Sequence, residues 1–364
     1  MPREEIESQP FAEGTLTKLD LFQLYTRAWL PVFTAPPEPI WKRLHIFDFF
    51  CGAGEDCTGQ PGSPLRILTE LRECWPQVRS KGIHVSVSFS DNDAEKVRRL
   101  KSIAAERRLA EALPGLALDC TPGDFQSRFN ANLSVLRDSD TACLVILDQY
   151  GFKEVDADIF RTLTGCPTTD FLFFISTQHL HRFADHPIVV RQYEELERAR
   201  DYYHAHRKIY DWYRERVPAG REYYLAPFSF LKGSNVYAVI FGSGHPRGME
   251  QFLSVAWQKD KLNGEADYDL NREEFRDEAP YLALDMFEKP MKTKIFEVKL
   301  RRAILAGLLS DERGLYLFCL ENGMLPKHAR SVLSELKHEG RIELGFQVPS
   351  RESLKQCRPF KLLR

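Results

Sequence analysis

The chain has 364 residues, of which 43% are hydrophobic and 28% charged, with a formal net charge of −2. That is enough chain for a large core in two domains, with an ordinary globular composition. The near-neutral balance excludes a global electrostatic pull toward nucleic acid, so any such binding needs a local basic patch. No apolar run is long enough to span a membrane, and the opening MPREEIESQP has no apolar core of signal-peptide length. The eight cysteines include no C-x-x-C pair, so reduced thiols and a cytoplasmic location are expected.

Leu16, Leu19, Phe22, Tyr25, Ala28 and Trp29 recur at helical spacing and predict a helix over 15–32. A proline-rich connector, APPEP (35–39), leads into the apolar strand HIFDFF (45–50). Then come Cys51-Gly52-Ala53-Gly54, a turn-rich loop, and a helix opened by Ser63-Pro64. Strand, glycine turn and helix form the usual cradle for an anionic or nucleotide ligand, because small residues let backbone approach it. Asp48 stands inside the apolar strand and is costly to bury unless it is hydrogen-bonded.

Further strands are expected at 83–89, 116–120, 141–147 and 171–176, with helices over 94–113 and 126–137. The continuous apolar run at 141–147 suits a strand buried on both faces. Alternation of this kind predicts an α/β fold, a Rossmann-like doubly wound and mainly parallel sheet. A charged stretch (189–216) reads as solvated helix, followed by an antiparallel pair (223–230, 235–241) at the sheet's end and a helix over 249–259. From 294 the pattern becomes three helices (295–309, 315–322, 326–339) and a short hairpin (341–348), as in a winged-helix module. The expected organisation is an N-terminal helical extension (1–43), the α/β domain (44–260), a linker (261–292) and a winged helix (293–364).

The informative acids sit at the carboxyl ends of the strands, where open parallel sheets bind ligands. Asp91 and Asp93 follow the second strand, Asp124 the third, and Asp148 the fourth. One carboxylate can accept both protons of a ribose diol. Asp124 followed by Phe125 suits an adenine ring. Each Asp alone also suits a helix cap. A complete G-x-G-x-x-G is absent, since Thr58-Gly59 comes too late, which disfavours a dinucleotide.

This arrangement resembles the class I S-adenosylmethionine-dependent methyltransferases: DFFCGAG (48–54) looks like their first motif, DND (91–93) the ribose acid, GDF (123–125) the adenine contact and DQYGF (148–152) the active-site motif. DFFCGAG is similar to the opening of DNA cytosine-C5 methyltransferases, but the chain has no Pro-Cys dipeptide and Cys166-Pro167 has the reverse order, so that mechanism is rejected. YTRAWLP (25–31), the loop extended through PGSP (61–64), DQYG (148–151), YAVIF (237–241) and HPRG (245–248) together resemble the three-Cys-motif partner family over residues 16–260. That family carries Asp-Pro-Phe-Gly where this chain has DQYG.

The resemblance implies S-adenosylmethionine as cofactor and a partner protein with a cysteine motif suited to an iron–sulfur cluster. It implies cofactor contacts from Asp48, Phe50, Gly52, Gly54, Asp91, Asp93, Asp124 and Phe125, and catalysis at Asp148, Gln149 and Tyr150. Asp148 would orient an amine while Tyr150 and Phe152 pack the acceptor ring. Lys327 and Arg330, near the start of the third C-terminal helix together with His328, are candidate nucleic-acid contacts. His179-Leu-His181 and His204-Ala-His206 complete no metal-ligand spacing. The expected activity is methyl transfer to an amine of a nucleic-acid base or of a partner-delivered substrate. The alternative is a non-catalytic nucleic-acid-binding or scaffold protein on the same fold.

Overall fold

A computed structural model of the chain describes residues 9–149, 155–176, 205–232, 235–266 and 291–363. The chain divides into two compact units, Met1–Gly248 and Met249–Arg364.

The first unit is built on a seven-stranded sheet of order β3-β2-β1-β4-β5-β7-β6. Its strands are β1 (Arg43–Asp48), β2 (His84–Phe89), β3 (Ala117–Cys120), β4 (Thr141–Leu147), β5 (Thr169–Ser176), β6 (Tyr224–Lys232) and β7 (Asn235–Ser243). Strands β1 to β5 pair in parallel, while β7 is antiparallel to both β5 and β6. This is the expected Rossmann-like architecture, with the antiparallel pair at one end. All seven residues of β4 are buried, as its unbroken apolar run demands. Each of its Leu, Val and Ile side chains contributes roughly 1.5–3 kcal/mol by burial.

The helices of this unit are α1 (Glu13–Thr34), α2 (Ser63–Ser80), α3 (Ala94–Glu106), α4 (Leu109–Ala112), α5 (Phe125–Ala131), α6 (Leu133–Leu136), α7 (Ala157–Gly165) and α8 (Ala205–Arg214). The single helix expected over 94–113 is two, because Arg108 adopts a left-handed φ of 51°. The one expected over 126–137 also breaks, at Asn132. Helix α1 packs along α2. Glu70 is buried and accepts from Gln23 (2.6 Å) and twice from Arg27 (2.8 Å each). The charged stretch expected to be helical from 189 is described only from 205 onward.

The helix α9 (Pro246–Lys259) crosses the division between the units, with Met249–Lys259 in the second. Its side chains in the second unit make specific contacts there. Trp257 Nε1 donates to the Gly323 carbonyl at 3.0 Å, its ring lies 4.3 Å from that of His328, and Tyr316 Oη donates to Glu250 at 3.1 Å. Three further helices follow: α10 (Met291–Leu305), α11 (Glu312–Glu321) and α12 (Arg330–His338), the last preceded by a 3₁₀ turn, Pro326–Ala329. Residues 267–290, most of the expected linker, lie outside the described residues.

The short hairpin expected over 341–348 does not form. Strand β8 (Ile342–Glu343) pairs instead with β9 (Lys361–Leu362). Glu312 supplies the reason. Its fully buried carboxylate accepts from Arg358 Nε (2.6 Å) and Nη2 (2.8 Å) and from the Ser350 amide and hydroxyl (3.1 Å each). A buried charge needs such partners, and meeting that need draws residues 344–360 away from a local turn.

Candidate active site at the carboxyl ends of the strands

Helices leave β1 and β4 where the strand order reverses, so a crevice is expected beyond their carboxyl ends. Asp48 is the last residue of β1 and pairs in register with Ile146, two residues before Asp148. It is fully buried. Its Oδ1 accepts the Phe50 amide at 3.1 Å, and its Oδ2 has no hydrogen-bond partner among the described residues. Burial pushes the Asp48 carboxyl up to about 7; the nearby Ser63 hydroxyl and Phe50 amide counter part of that push, and the negative charges of Asp148 and Asp91 add to it. A fully buried carboxylate at a glycine turn, with one oxygen lacking a partner and a raised pKa, marks a candidate functional site.

The turn is held from below by Asp91. Its Oδ2 accepts the Gly52 amide at 3.1 Å and its Oδ1 the Asp93 amide at 3.0 Å. Gly52 and Gly54 have φ values of 61° and 92°, a region that favours glycine. A Cβ on Gly54 would stand 2.7 Å from Leu100 Cδ1, so this backbone packs too closely on α3 for any side chain. The loop closes on itself where Gly62 donates to the Gly54 carbonyl at 2.7 Å.

Asp56, which the sequence reading passes over, organises the rest of the loop. Its carboxylate accepts from Thr58 N and Oγ1 (2.8 and 2.7 Å), Gln60 N (3.0 Å) and, across 45 residues, the Phe11 amide (2.7 Å). Burial alone would raise its pKa, but these donors outweigh it and hold Asp56 down at about 2.

The other expected cofactor residues take mixed positions. Asp93 caps α3, accepting from Glu95 N at 2.8 Å, and Asp124 caps α5, accepting from Ser127 N at 2.9 Å. The Ser127 hydroxyl and amide hold Asp124 below the usual carboxylate range. Asp124 is solvent-exposed, so its cap leaves it accessible. Phe50 and Phe125 meet with ring centroids 5.2 Å apart, Phe125 buried in the core and Phe50 half-buried. Asp48, Phe50, Gly52, Gly54 and Asp91 therefore converge on one turn, with Phe125 behind Phe50.

Asp148 has a partner the sequence reading did not anticipate. Lys18 Nζ from α1 lies 2.6 Å from both carboxylate oxygens, with both side chains largely buried. The same ammonium sits 4.6 Å from the centre of the Phe174 ring. Gln149, a catalytic candidate in the sequence, is 1% exposed. Its Nε2 donates to the Phe174 carbonyl (3.2 Å) and its Oε1 accepts the Val155 amide (3.1 Å). It thus ties the end of β4 to β5. Tyr150 and Phe152 lie outside the described residues. In the second unit Lys327 and Arg330 are exposed. His328 is not: its Nδ1 accepts the Leu325 amide at 3.1 Å, and burial, with Lys327 and Lys292 adding, lowers it to about 4.

No family model matches the chain, and no curated protein matches it either. Solved structures with similarity include Trm1 from Pyrococcus horikoshii in complex with S-adenosyl-L-methionine, at TM-score 0.35 and 11% identity over 64% of this chain and 57% of that one. The N-terminal domain of human METTL16 in complex with SAH matches at TM-score 0.33 and 8% identity, over 65% and 72%. The O-methyltransferase TomG from Streptomyces achromogenes, in complex with SAM, matches at 0.32 and 11%, over 65% and 92%. The chain thus spans little more than half of the first of these. All three likenesses are remote, and the chemistry of the site rests on its own residues. Among the described residues no helix is long and apolar enough to cross a membrane.

Proposed function

We infer that the first unit is a class I S-adenosylmethionine-dependent methyltransferase acting on an amine, carried by a nucleic-acid base or delivered by a partner. The observation that carries this reading is the unpartnered, fully buried Asp48 Oδ2 beneath the glycine turn braced by Asp91. These residues fit the cofactor. Asp48 would accept from its ammonium, Gly52 and Gly54 would let backbone lie against it, Asp91 and Asp93 would meet the ribose, and Asp124 and Phe125 the adenine. When bound, the cofactor supplies an electrophilic methyl group on a sulfonium. Asp148 would orient the acceptor amine and take its proton, with Phe174 as an aromatic wall beside it. Gln149 serves by fixing the turn.

Within this reading the chain belongs to the three-Cys-motif partner family, acts in the cytoplasm, and meets a protein with an iron–sulfur-type cysteine motif. The second unit acts as a winged helix on nucleic acid through exposed Lys327 and Arg330. Calorimetric titration with S-adenosylmethionine and S-adenosylhomocysteine tests the first step. Radiolabel transfer to total RNA, DNA and partner protein then identifies the acceptor. Duplex and single-strand binding by the full chain, compared with the doubly substituted K327E/R330E protein, tests the last.

One observation favours a second reading, a scaffold without turnover. Asp148 is already ion-paired, and the Gln149 amide is spent on backbone. Absence of heat with either cofactor form would select the scaffold.

A further inference from the structure

Lys18 comes from a helix 130 residues away in sequence, yet its ammonium occupies the position the proposed reaction reserves for the acceptor. The amine is held at 2.6 Å by both oxygens of Asp148 and lies against the Phe174 ring, which itself stacks on Tyr237 at 5.6 Å. A carboxylate on one side and an aromatic face on the other is the pairing that seats an aliphatic amine. Helix α1 is also anchored around this point. Arg66 Nη1 donates to Asp20 at 2.7 Å, Gln23 and Arg27 bind Glu70, and the Phe11 amide binds Asp56 in the glycine loop. These contacts hold the helix segment that carries Lys18 against the glycine loop and α2, with the Lys18 ammonium on Asp148 just beyond β4.

We propose that Lys18 Nζ is itself a methyl acceptor: the chain methylates its own α1 lysine, and the seat beside Asp148 is built for a primary aliphatic amine. This rests on the methyltransferase reading above. In the step, the lysine ammonium first yields a proton to Asp148, which passes it to solvent. The free amine's lone pair forms the N–C bond as the C–S bond breaks. The bonding pair stays on sulfur, leaving neutral S-adenosylhomocysteine and a methylated lysine. Each added methyl enlarges the ammonium and removes a donor, which weakens its hold on Asp148 and frees the seat for an external amine.

Three measurements test this on the full chain. First, the purified protein without cofactor is treated with an amine-acylating reagent. Lys18 should react several-fold more slowly than exposed Lys327, and Asp148→Asn should remove that protection; equal reactivity in the native protein would overturn the seating of Lys18. Second, calorimetry establishes whether S-adenosylmethionine binds. Third, peptide mass mapping, before and after incubation with S-adenosylmethionine alone, should show methylation at Lys18, per chain and independent of protein concentration, and none at that position in Lys18→Arg. Cofactor binding with Lys18 unmodified throughout would overturn self-methylation and leave the proposed function standing. No cofactor binding would overturn the proposed function, and self-methylation with it.

Discussion

Asp91 Oδ2 accepts the amide of Gly52 at 3.1 Å, joining the end of β2 to the glycine turn after β1. The second oxygen holds Asp93 N at 3.0 Å, so one carboxylate fixes both the glycine turn after β1 and the turn that opens α3. Asp91→Ala should cost about 1.5–3 kcal/mol of stability, the usual loss for hydrogen bonds to a charged group. It should also weaken S-adenosylmethionine binding by loosening Gly52. Thermal unfolding and calorimetry on the same preparations check both effects; a stable variant with native affinity would remove Asp91 from the site.

Gly54→Ala should destabilise by roughly 2–4 kcal/mol, combining a left-handed alanine with overpacking. Leu100→Ala should be costly alone but should partly rescue Gly54→Ala, because Leu100 Cδ1 is the atom a new Cβ would strike. Gly59 also has positive φ, at 81°, but nothing lies within 4 Å of its would-be Cβ, so Gly59→Ala should cost only about 1–2 kcal/mol. Urea unfolding of the four variants measures the coupling.

Asp48 makes stability fall as pH rises. Its carboxyl is raised from 3.8 to about 7 in the fold, so the native state binds the extra proton through that window and the stabilisation disappears above it. Asp170, raised to about 6 by burial against the hydrogen bonds from Ser243, Tyr25 and Trp29, acts in the same sense at lower pH. His45 and His328, each lowered by burial from 6.5 to about 4, and His245, also lowered by burial, act oppositely as pH falls through about 6.5. The difference between the native chain and Asp48→Asn across about pH 4 to 8 therefore isolates the Asp48 share. Asp48→Asn should flatten that slope and stabilise the cofactor-free protein at pH 8 by no more than about 4 kcal/mol. Unfolding curves across this range check the sign.

Gln149→Ala should leave buried backbone groups at Phe174 and Val155 without partners, at a cost of about 1–3 kcal/mol. Cofactor affinity should stay within a few-fold of native, since both ends of the amide bond backbone at Phe174 and Val155. A large affinity loss in a fully folded variant would contradict this assignment.

Arg358→Ala should leave the buried Glu312 carboxylate with Ser350 alone. The second unit should lose stability, and residues 344–360 should exchange amide hydrogens faster. Unchanged exchange there would show that Glu312 does not hold the segment.

The order of these elements was legible because buried parallel strands write themselves as unbroken apolar runs, as at 141–147, and glycine turns as Gly52-Ala53-Gly54. The acids that end strands were equally visible, although Asp93 and Asp124 also serve as helix caps. Lys18 was not legible. Its spacing marks only an amphipathic helix, and nothing local predicts an ion pair across 130 residues. Gln149 read as part of a motif, while its two hydrogen bonds depend on where β5 lies. The left-handed break at Arg108 lacks the usual Gly or Pro, and the β8–β9 pairing follows from a buried Glu312 whose burial no sequence pattern announces.

The proposed function requires Asp48 and the turn it supports to bind the ammonium end of S-adenosylmethionine. Calorimetric titration of the native chain and Asp48→Asn with S-adenosylmethionine and S-adenosylhomocysteine tests it most directly. The expected result is one site per chain for both ligands, weakened at least about ten-fold by loss of the carboxylate charge, or about 1.4 kcal/mol. Native binding undiminished in Asp48→Asn, or no binding by the native chain, would contradict it.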